Sequence, residues 1–315
     1  MEITATARVG IVGAGGIAPV HIAGWLALGA DVGILRRTGA EELAGRYDIR
    51  VVDDLDALID GCEVVDIISP TTTHLDVARR AFVAGRHVVC EKPLAVTASD
   101  ARAMVDAAAD AGVRLFPAHV VRYFEGYRRL HEQRDSIGTL LELTFRRTVA
   151  APPSAWFYAQ DAGGGLIRDL MIHDLDQALW LAGPVVEVSA TQDPPAVGGT
   201  VEPPVSAHVT LTHANGAISH VRADWFEPGT PFRSTAEVTG ANGSLRFDTA
   251  DLGVVREGYL PPASETDPYR GQLADFLDAV RTGGAARVTP EDGVAAVALV
   301  DAAYASLAAG RPVLL

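Results

Sequence analysis

Short apolar runs rich in β-branched residues alternate with amphipathic segments of helical length between Ala7 and Phe116. The apolar runs are ARVGIV, DVGIL, EVVDIIS, HVVCE and VRLF, and the segments between them include IAPVHIAGWLALG, AEELAGRY, THLDVARRAFVAG and SDARAMVDAAADAG. Repeated β-α units of this kind predict a parallel sheet with helices on both faces. The last of these helices has both ends marked, because Thr97 and Asp100 form a T-x-x-D start and Gly112 lies where a C-terminal cap belongs.

After about residue 136 the pattern changes to several strand-like runs. VSAHVTLT alternates apolar and polar positions from Val205 to Thr212, as a half-buried antiparallel strand does. The pairs Asn215-Gly216 and Asn242-Gly243 predict tight hairpins between neighbouring strands. Two helices accompany these strands, one near Leu166 to Leu181 and a last one that begins at Thr289-Pro290-Glu291-Asp292.

The change of pattern divides the chain into two domains, which a length of 315 residues already favours over a single core. We predict that residues 1–120 form the first domain and residues 121–315 the second, with the last helix free to pack back on the first domain. The predicted fold class is α/β. The first domain has a doubly wound parallel sheet, and the second combines helices with a large open, mostly antiparallel sheet.

Charge and composition argue against several classes of partner. Lys and Arg total 26 against 40 Asp and Glu, a net charge of -14 without a basic run, so nucleic acid and anionic membranes are poor partners. Cys62 and Cys90 lie in apolar stretches rather than in a spaced cysteine framework. The N-terminus lacks the basic region of a signal peptide, and no uninterrupted apolar run reaches membrane-spanning length. We therefore expect a soluble cytoplasmic protein.

A glycine-rich turn, GIVGAGGIA, follows the first predicted strand and opens the first predicted helix. Gly13 permits the tight turn, Gly15 lets the backbone approach a pyrophosphate, and Ala18 allows close packing of helix on strand. Gly16 and Ile17 complete the turn at the helix N-terminus, where free N–H groups and the helix dipole favour an anion. The alternative is a plain strand-to-helix turn, which the strand before and the helix after make the weaker interpretation. The stretch predicts a dinucleotide site.

The second predicted strand ends in Leu35-Arg36-Arg37-Thr38, where a cofactor without a 2'-phosphate would normally meet an acidic side chain. A carboxylate would repel a 2'-phosphate, whereas guanidinium groups pair with it and can stack on adenine. Arg36 and Arg37 therefore favour NADP(H) over NAD(H). The alternative is a solvated basic turn, because arginine is common at exposed strand ends.

Glu91-Lys92-Pro93 directly follows the strand HVVC. The carboxyl ends of the strands in a doubly wound sheet form the ligand crevice, so we expect Lys92 to point into the same cleft as the glycine turn. A lysine there can hydrogen-bond to a substrate hydroxyl or help to deprotonate it. A strand-end lysine in solvent is the equally simple alternative.

The stretch GGGLIRDLMIHDLD covers residues 163–176. Asp169 and His173 are four residues apart on a predicted helix and so share one face, which Asp176 and Trp180 continue. An aspartate that holds a histidine in one tautomer is a standard arrangement for a general acid or base. An exposed polar helix face and a partial metal site are the alternatives. The metal interpretation lacks a paired ligand motif, so we expect no metal.

The order of these motifs resembles the Gfo/Idh/MocA oxidoreductases, a family that includes glucose-fructose oxidoreductase and inositol dehydrogenase. The resemblance spans nearly the whole chain through GIVGAGGIA, SPTTTHLDVARRAFVAGRHVVCEKPLAVTASDA, GGGLIRDLMIHDLD, EVTGANGSLRF and TPEDGVAAVALVDAAYASLAAGRPVLL. It implies an N-terminal Rossmann domain and a C-terminal α/β domain whose open sheet often mediates oligomers. It also implies a nicotinamide cofactor between the two domains.

The resemblance implies roles for individual residues. Lys92 would be a catalytic lysine, His173 the acid or base, and Asp169 the partner of that histidine. The residues expected to border the cofactor outside the glycine and arginine turns are Pro70, Thr71, His74, Glu91 and Lys92.

Substrate specificity is expected in loops such as residues 149–163 and 191–205. Arg122, in the segment HVVRYFEGYRRL, and Trp156, in the first of these loops, are the predicted substrate contacts. The chain departs from the family pattern at two positions. Val121 stands near the place where many members have an asparagine, and Arg36 replaces the acidic residue of many NAD-using members.

The resemblance implies a dehydrogenase or reductase that passes a hydride between nicotinamide and a sugar, cyclic polyol or related carbonyl compound, while His173 takes the hydroxyl proton. NADP is the expected cofactor and NAD the alternative. A cofactor-binding sensor without turnover and an NAD-dependent glycosidase stay open, because a fold alone does not fix function. The joint presence of Lys92, Asp169 and His173 favours the enzyme. We expect a small-molecule substrate and a homo-oligomer, as dimer or tetramer, with no nucleic acid or membrane partner.

Overall fold

The computed structural model describes residues 6–160, 162–252 and 267–315. Its contacts divide the chain into two compact units, Met1–Tyr123 with Pro261–Val294, and Phe124–Leu260 with Ala295–Leu315. The predicted domain boundary after residue 120 stays a prediction. The contacts differ from a simple split of the sequence in one respect, since the late segment Pro261–Val294 belongs to the first unit.

Within its described residues, the first unit contains six strands, which are β1 (Arg8–Val12), β2 (Asp31–Leu35), β3 (Arg50–Val52), β4 (Val64–Ile67), β5 (His87–Glu91) and β6 (Leu115–Ala118). All pair in parallel in the order β3-β2-β1-β4-β5-β6, so the predicted doubly wound sheet is confirmed. The strands are apolar runs because helices cover both faces of such a sheet. The strand order reverses between β1 and β4, and the carboxyl ends at that point form the expected ligand crevice.

The helices between these strands are α1 (Ala18–Ala27), α2 (Ala40–Tyr47), α3 (Leu55–Asp60), α4 (His74–Val83) and α5 (Ala98–Asp110). The predicted ends of α5 are confirmed. Thr97 Oγ1 accepts a hydrogen bond from the Asp100 N–H at 3.1 Å, and Gly112 has a φ of +64° just beyond the helix. Trp25 of α1 and Ile11 of β1 are fully buried in the core of this unit.

The second unit begins with α6 (Glu125–Gln133) and contains the strands β7 (Leu140–Ala150), β8 (Val185–Asp193), β9 (Val205–His213), β10 (Ile218–Phe226), β11 (Arg233–Gly240) and β12 (Gly243–Asp248). Burial alternates along all of β9, as its sequence pattern predicts. The hairpins at Asn215-Gly216 and Asn242-Gly243 join β9 to β10 and β11 to β12. These predictions are confirmed because each rests on local chemistry.

The helix predicted near Leu166 to Leu181 differs from the structure at its start. Residues Ile167–Met171 form a π-helical turn, and the regular helix α7 runs only from Ile172 to Ala182. A π-turn holds an extra residue, so the 3.6-residue spacing applies only within α7.

Two further helices follow, α8 (Pro268–Thr282) and α9 (Pro290–Ala309), and the chain ends in β13 (Val313–Leu314). The sequence analysis missed α8. The start of α9 is as predicted, since Thr289 Oγ1 accepts from the Asp292 N–H at 3.2 Å. Helix α9 is long and apolar enough to cross a membrane by length and composition alone, a test that core helices of soluble proteins also pass.

The sheet of the second unit has the order β12-β11-β7-β10-β9-β8-β13. Five of its six strand pairs are antiparallel, which confirms the predicted mostly antiparallel sheet. The exception is the parallel pair of β7 and β10 at the centre. Because α7, β8 and β9 lie between these two strands in the sequence, no local pattern predicts that they pair.

Candidate active site

The turn between β1 and α1 leaves space for an anion at the helix N-terminus. Gly13 has a φ of +129°, and a Cβ there would lie 2.6 Å from the backbone C and O of Ile68, so only glycine fits. A Cβ on Gly15 or Gly16 would meet no atom within 4 Å. Within the described residues nothing accepts a hydrogen bond from the N–H groups of Gly15, Gly16 and Ile17. The turn therefore fits a pyrophosphate, which these donors and the helix dipole would stabilise.

The two arginines after β2 differ in their partners. Arg36 donates hydrogen bonds to the carboxylates of Asp53 and Glu41 at the surface. Arg37 is exposed and has no ion-pair partner in the described ranges. A guanidinium between two carboxylates is partly neutralised, whereas one without such neighbours attracts an anion more strongly. Of the two predicted cofactor contacts, Arg37 therefore has the charge more readily available to a 2'-phosphate.

Three predicted cofactor contacts follow β4, at the same edge of the sheet as the glycine turn. Pro70 is exposed, and Thr71 is buried at the start of a short 3-10 turn. His74 is buried, with Nε2 2.9 Å from the Ser69 carbonyl oxygen and Nδ1 3.1 Å from that of Pro93. Burial lowers the pKa of His74 although these carbonyls act to raise it. The ring joins the loops after β4 and β5, and its contact with the cofactor stays a prediction.

Lys92 lies directly after β5 and is half-buried. It is the only lysine among the 26 lysine and arginine residues of the chain, a signal in the sequence that the motif search missed. The two side chains differ in that an amine can lose its proton near neutral pH when its surroundings favour it, and a guanidinium cannot.

Glu91, the last residue of β5, has protein partners for both oxygens. Its Oε1 lies 3.2 Å from His21 Nε2, and its Oε2 accepts a hydrogen bond from the Lys92 backbone N–H at 3.0 Å. Burial acts to raise the pKa of Glu91, but the hydrogen bond and charge of His21 and the charge of Lys92 lower it overall. The predicted contact of Glu91 with the cofactor stays a prediction, and its observed partners belong to the protein.

His21 is a buried charged residue that the sequence analysis did not single out. Its Nδ1 lies 2.8 Å from Asp66 Oδ2, which also accepts a hydrogen bond from the Trp25 indole N–H at 2.7 Å. Burial acts to lower the pKa of His21, but the carboxylates of Asp66 and Glu91 outweigh it and raise the pKa to about 10. The first unit therefore holds an imidazolium in its interior at neutral pH.

In the second unit, glycines let the chain turn where a side chain would not fit. A Cβ on Gly164 would lie 2.4 Å from the Phe157 carbonyl oxygen. Gly165 has a φ of +94°, and a Cβ there would lie 2.3 Å from the Tyr304 hydroxyl oxygen. The Arg168 guanidinium lies over the Tyr304 ring, 4.9 Å from its centroid. These contacts fix the start of the segment that carries the predicted catalytic pair.

Asp169 lies in the π-helical turn and His173 in the first turn of α7, and both are half-buried. The prediction that one helix face runs through both and on to Asp176 and Trp180 stays a prediction. Asp176 is fully buried, while Trp180 stacks on the His131 ring at 3.8 Å. The π-turn shifts the helix face only before α7, because His173, Asp176 and Trp180 all lie in the regular helix. The catalytic roles of Asp169 and His173 stay predictions.

The residue after His173 anchors α7 to β7. Arg147 of β7 donates to both oxygens of Asp174, at 3.0 Å and 2.7 Å, and both side chains are buried. Arg147 also donates to the Tyr127 hydroxyl at 3.3 Å, and that hydroxyl lies 2.6 Å from Ser234 Oγ. A bidentate buried pair fixes the rotation of the helix. The sequence analysis missed Arg147 and Asp174, because 27 residues separate them.

The predicted substrate contacts have different surroundings. Arg122 is buried, and its Nη2 lies 3.1 Å from Asp292 Oδ1 within the first unit. Trp156 is 39% exposed and stacks on Phe157 at a centroid distance of 3.7 Å. An exposed indole of this kind can pack against the apolar face of a sugar ring. Both contacts stay predictions. Within the described residues no group of three or more His, Cys, Asp and Glu side chains could hold a metal ion.

Two family models match most of the chain. The model described as oxidoreductase family, NAD-binding Rossmann fold, matches residues 7–119, and the one described as GFO/IDH/MocA C-terminal domain matches residues 128–246. The first range contains the glycine turn and Lys92, and the second contains Asp169 and His173.

Individual proteins are similar over nearly full length. Inositol 2-dehydrogenase of Rhizobium meliloti (strain 1021) is 29% identical, with 98% of this chain and 99% of that protein covered. D-xylose 1-dehydrogenase (NADP(+)) 2 of Haloferax volcanii is 30% identical, with 85% and 83% covered. The crystal structure of GenD2 from gentamicin A biosynthesis in complex with NAD superposes with a TM-score of 0.88 at 28% identity, with 100% and 98% covered.

Proposed function

The chain belongs to the Gfo/Idh/MocA family of NAD(P)-dependent oxidoreductases, and from this premise we propose that it oxidises a hydroxyl of a sugar or cyclic polyol, or reduces the corresponding carbonyl, with NADP(H) preferred. Two relatives support the substrate class, since one is an inositol 2-dehydrogenase and the other a D-xylose 1-dehydrogenase. The enzyme takes a small-molecule substrate.

The observation that carries the proposal is the position of the only lysine. Lys92 follows β5, and the glycine turn follows β1, so both lie at the carboxyl edge of one parallel sheet. A bound nicotinamide ring would accept or donate the hydride. The task left to Lys92 is to orient the substrate hydroxyl and to stabilise the charge that develops on it, for which a lysine side chain is suited.

The proton is assigned to His173. An imidazole is the commonest general acid or base near neutral pH, and His173 is half-buried at the start of an anchored helix. Asp169 lies one turn earlier and orients the imidazole in this proposal. Lys92 hydrogen-bonds to the substrate and stabilises the negative charge that develops as the proton leaves.

A substrate screen tests the proposed function. The purified enzyme is mixed with NADP⁺ or NAD⁺ and a panel of inositols, aldoses and cyclic dihydrodiols, while sugar lactones are tested with the reduced cofactors. The absorbance of reduced cofactor reports turnover. We expect at least one sugar or polyol to be turned over. Tight cofactor binding without turnover of any panel member would instead favour the sensor alternative.

The cofactor preference is tested by binding. We expect NADPH to bind more tightly than NADH, and Arg37→Ala to weaken NADPH binding about 10- to 100-fold, as expected for loss of a charge-assisted hydrogen bond. NADH binding should change little. Arg36→Asp should also weaken NADPH binding, because it places a carboxylate beside the 2'-phosphate. Fluorescence titration measures the affinities of the wild type and both variants for NADPH and NADH.

Arg79→Ala is the control for these variants, because it removes the same charge from an exposed position on α4. It should leave both affinities unchanged. Equal wild-type affinities for NADPH and NADH, or full NADPH binding by Arg37→Ala and Arg36→Asp, would contradict the preference.

The second unit's sheet is the proposed oligomer interface. Polar side chains such as Thr144, Arg146, Thr210 and Arg222 lie on its half-exposed face. We expect light scattering at micromolar concentration to show a dimer or tetramer, and a monomer of 33.1 kDa would count against the interface. Thr210→Arg should shift the wild-type assembly toward monomer through like-charge crowding, whereas Ser99→Arg on α5 should not.

A further inference from the structure

A buried cluster of four side chains joins α1 to the strands β4 and β5. His21 and Trp25 are on successive turns of α1, Asp66 is in β4, and Glu91 ends β5. The His21 and Asp66 side chains are fully buried, and that of Glu91 is 11% exposed. The proposed proton transfer does not use this cluster, although a buried charged group is costly unless it has a task or a partner.

The geometry requires His21 to be an imidazolium. Each ring nitrogen faces a carboxylate oxygen, Nδ1 at 2.8 Å from Asp66 and Nε2 at 3.2 Å from Glu91. A neutral imidazole has one N–H group and could donate to only one of them. The charged ring donates to both, and its positive charge lies between two negative ones.

The contacts of Glu91 connect this ring to Lys92. One carboxylate oxygen accepts from His21, and the other accepts from the Lys92 backbone N–H at 3.0 Å. A carboxylate held at both oxygens cannot rotate without breaking a hydrogen bond. Because the peptide N–H of Lys92 is one of its donors, the direction of the peptide that precedes the Lys92 side chain is fixed as well.

The same helix also carries the predicted cofactor site. The glycine turn lies at the N-terminus of α1, and His21 is the fourth residue of that helix. We propose that His21 is a positioning residue, which through Glu91 holds Lys92 in a fixed relation to the helix that binds the cofactor pyrophosphate. This inference rests on the proposed function of Lys92, and His21 itself touches neither substrate nor cofactor in it.

Because Lys92 is the only lysine, it can be observed alone. Full-length protein made with 13Cε-labelled lysine gives one side-chain carbon resonance, whose chemical shift and relaxation report the surroundings and motion of Lys92 without any substrate. In the wild type we expect a shifted resonance with restricted motion. In Glu91→Gln and in His21→Gln we expect it to move toward the shift and mobility of a solvated lysine. Trp25→Phe, which removes a different hydrogen bond to Asp66, should leave it in place.

Turnover of the panel substrate separates positioning from a simple charge effect. Glu91→Gln removes a negative charge, and His21→Gln removes a positive one, so an effect of charge alone on Lys92 would have opposite signs and would cancel in the double variant. Positioning predicts that each variant lowers kcat about 10- to 100-fold, with KM and cofactor affinity within about threefold. The double variant should be no worse than either single one, because both break the same connection.

His21→Gln leaves two buried carboxylates without their cation and can fail to fold. The variant His21→Gln with Asp66→Asn keeps the balance of charge and takes its place, with folding checked by circular dichroism. A wild-type resonance and kcat in this variant and in Glu91→Gln would overturn the proposal. If the proposed function of Lys92 is wrong, Lys92→Arg keeps full turnover. The Lys92 resonance in the wild type and in the His21 and Glu91 variants still shows whether His21 positions Lys92.

Discussion

Lys92→Arg should lower kcat by a factor of about 10² to 10⁴, the range expected when a group that assists proton transfer is lost. The substitution keeps the positive charge and a similar length. It replaces a compact ammonium with a planar fork that points its donors differently. NADPH affinity should change much less, because the glycine turn supplies the pyrophosphate contacts. Steady-state kinetics with a panel substrate and a cofactor titration measure the two effects.

The reverse substitution provides a control. Arg79→Lys on the exposed side of α4 exchanges the same two residue types and should leave kcat unchanged. His173→Ala should cause a loss as large as that of Lys92→Arg, and Asp169→Asn a smaller one that is not additive with it. Wild-type turnover by His173→Ala would show that the proton passes through another group, and wild-type turnover by Lys92→Arg would show that the reaction does not depend on a lysine at this position.

His21→Leu should lower the free energy of unfolding of the first unit by about 3–5 kcal/mol at pH 6, because it leaves Asp66 and Glu91 buried without their cation. The loss depends on pH with a definite sign. The pKa of His21 rises from 6.5 to about 10 on folding, so the folded protein holds a proton that the unfolded chain releases above pH 6.5. The stabilisation is complete below pH 6.5 and is lost as pH rises toward 10, at up to about 1.4 kcal/mol per pH unit.

Denaturant unfolding followed at a series of pH values between 6 and 10 measures this effect as the difference between wild type and variant. The difference in the free energy of unfolding should become smaller as pH rises, because the wild type loses the stabilisation by protonated His21, which the variant lacks at every pH. Tyr123→Phe is a suitable comparison, because it removes a part-buried hydrogen bond to Asp275 in the same unit. The loss of free energy of unfolding caused by Tyr123→Phe should not decrease between pH 6 and pH 10. A His21→Leu cost that is constant from pH 6 to pH 10 would mean that the histidine is neutral when folded.

Features that depend on neighbouring residues could be predicted from the sequence. The helix caps at Thr97 and Thr289 and the hairpins at Asn215-Gly216 and Asn242-Gly243 depend on neighbouring residues only. The parallel sheet was also predictable, because its strands are apolar runs that alternate regularly with helices. Gly13 was recognisable because its strand and helix lie directly beside it.

Features that join distant parts of the chain could not be predicted from the sequence. His21 meets Asp66 across 45 residues and Glu91 across 70, and no periodicity records such a meeting. Arg36 looked available from sequence, yet Asp53 from another strand end pairs with it. The π-turn before α7 also left no sign, because one extra residue in a helical turn preserves the apolar composition while it rotates the face.

Helix α8, which comes late in the sequence, covers part of the core of the first unit and is synthesised long after the sheet of that unit. Phe276 of α8 stacks on Phe116 of β6 at 4.7 Å, and a Cβ on Gly24 of α1 would lie 2.9 Å from a methyl of Leu273 in α8. These partners leave the ribosome more than a hundred residues after the sheet that they cover. A nascent chain that ends at residue 123 therefore exposes apolar surface of its first core. The first core is therefore completed only when α8 has been made, so we expect it to be most prone to aggregation during synthesis.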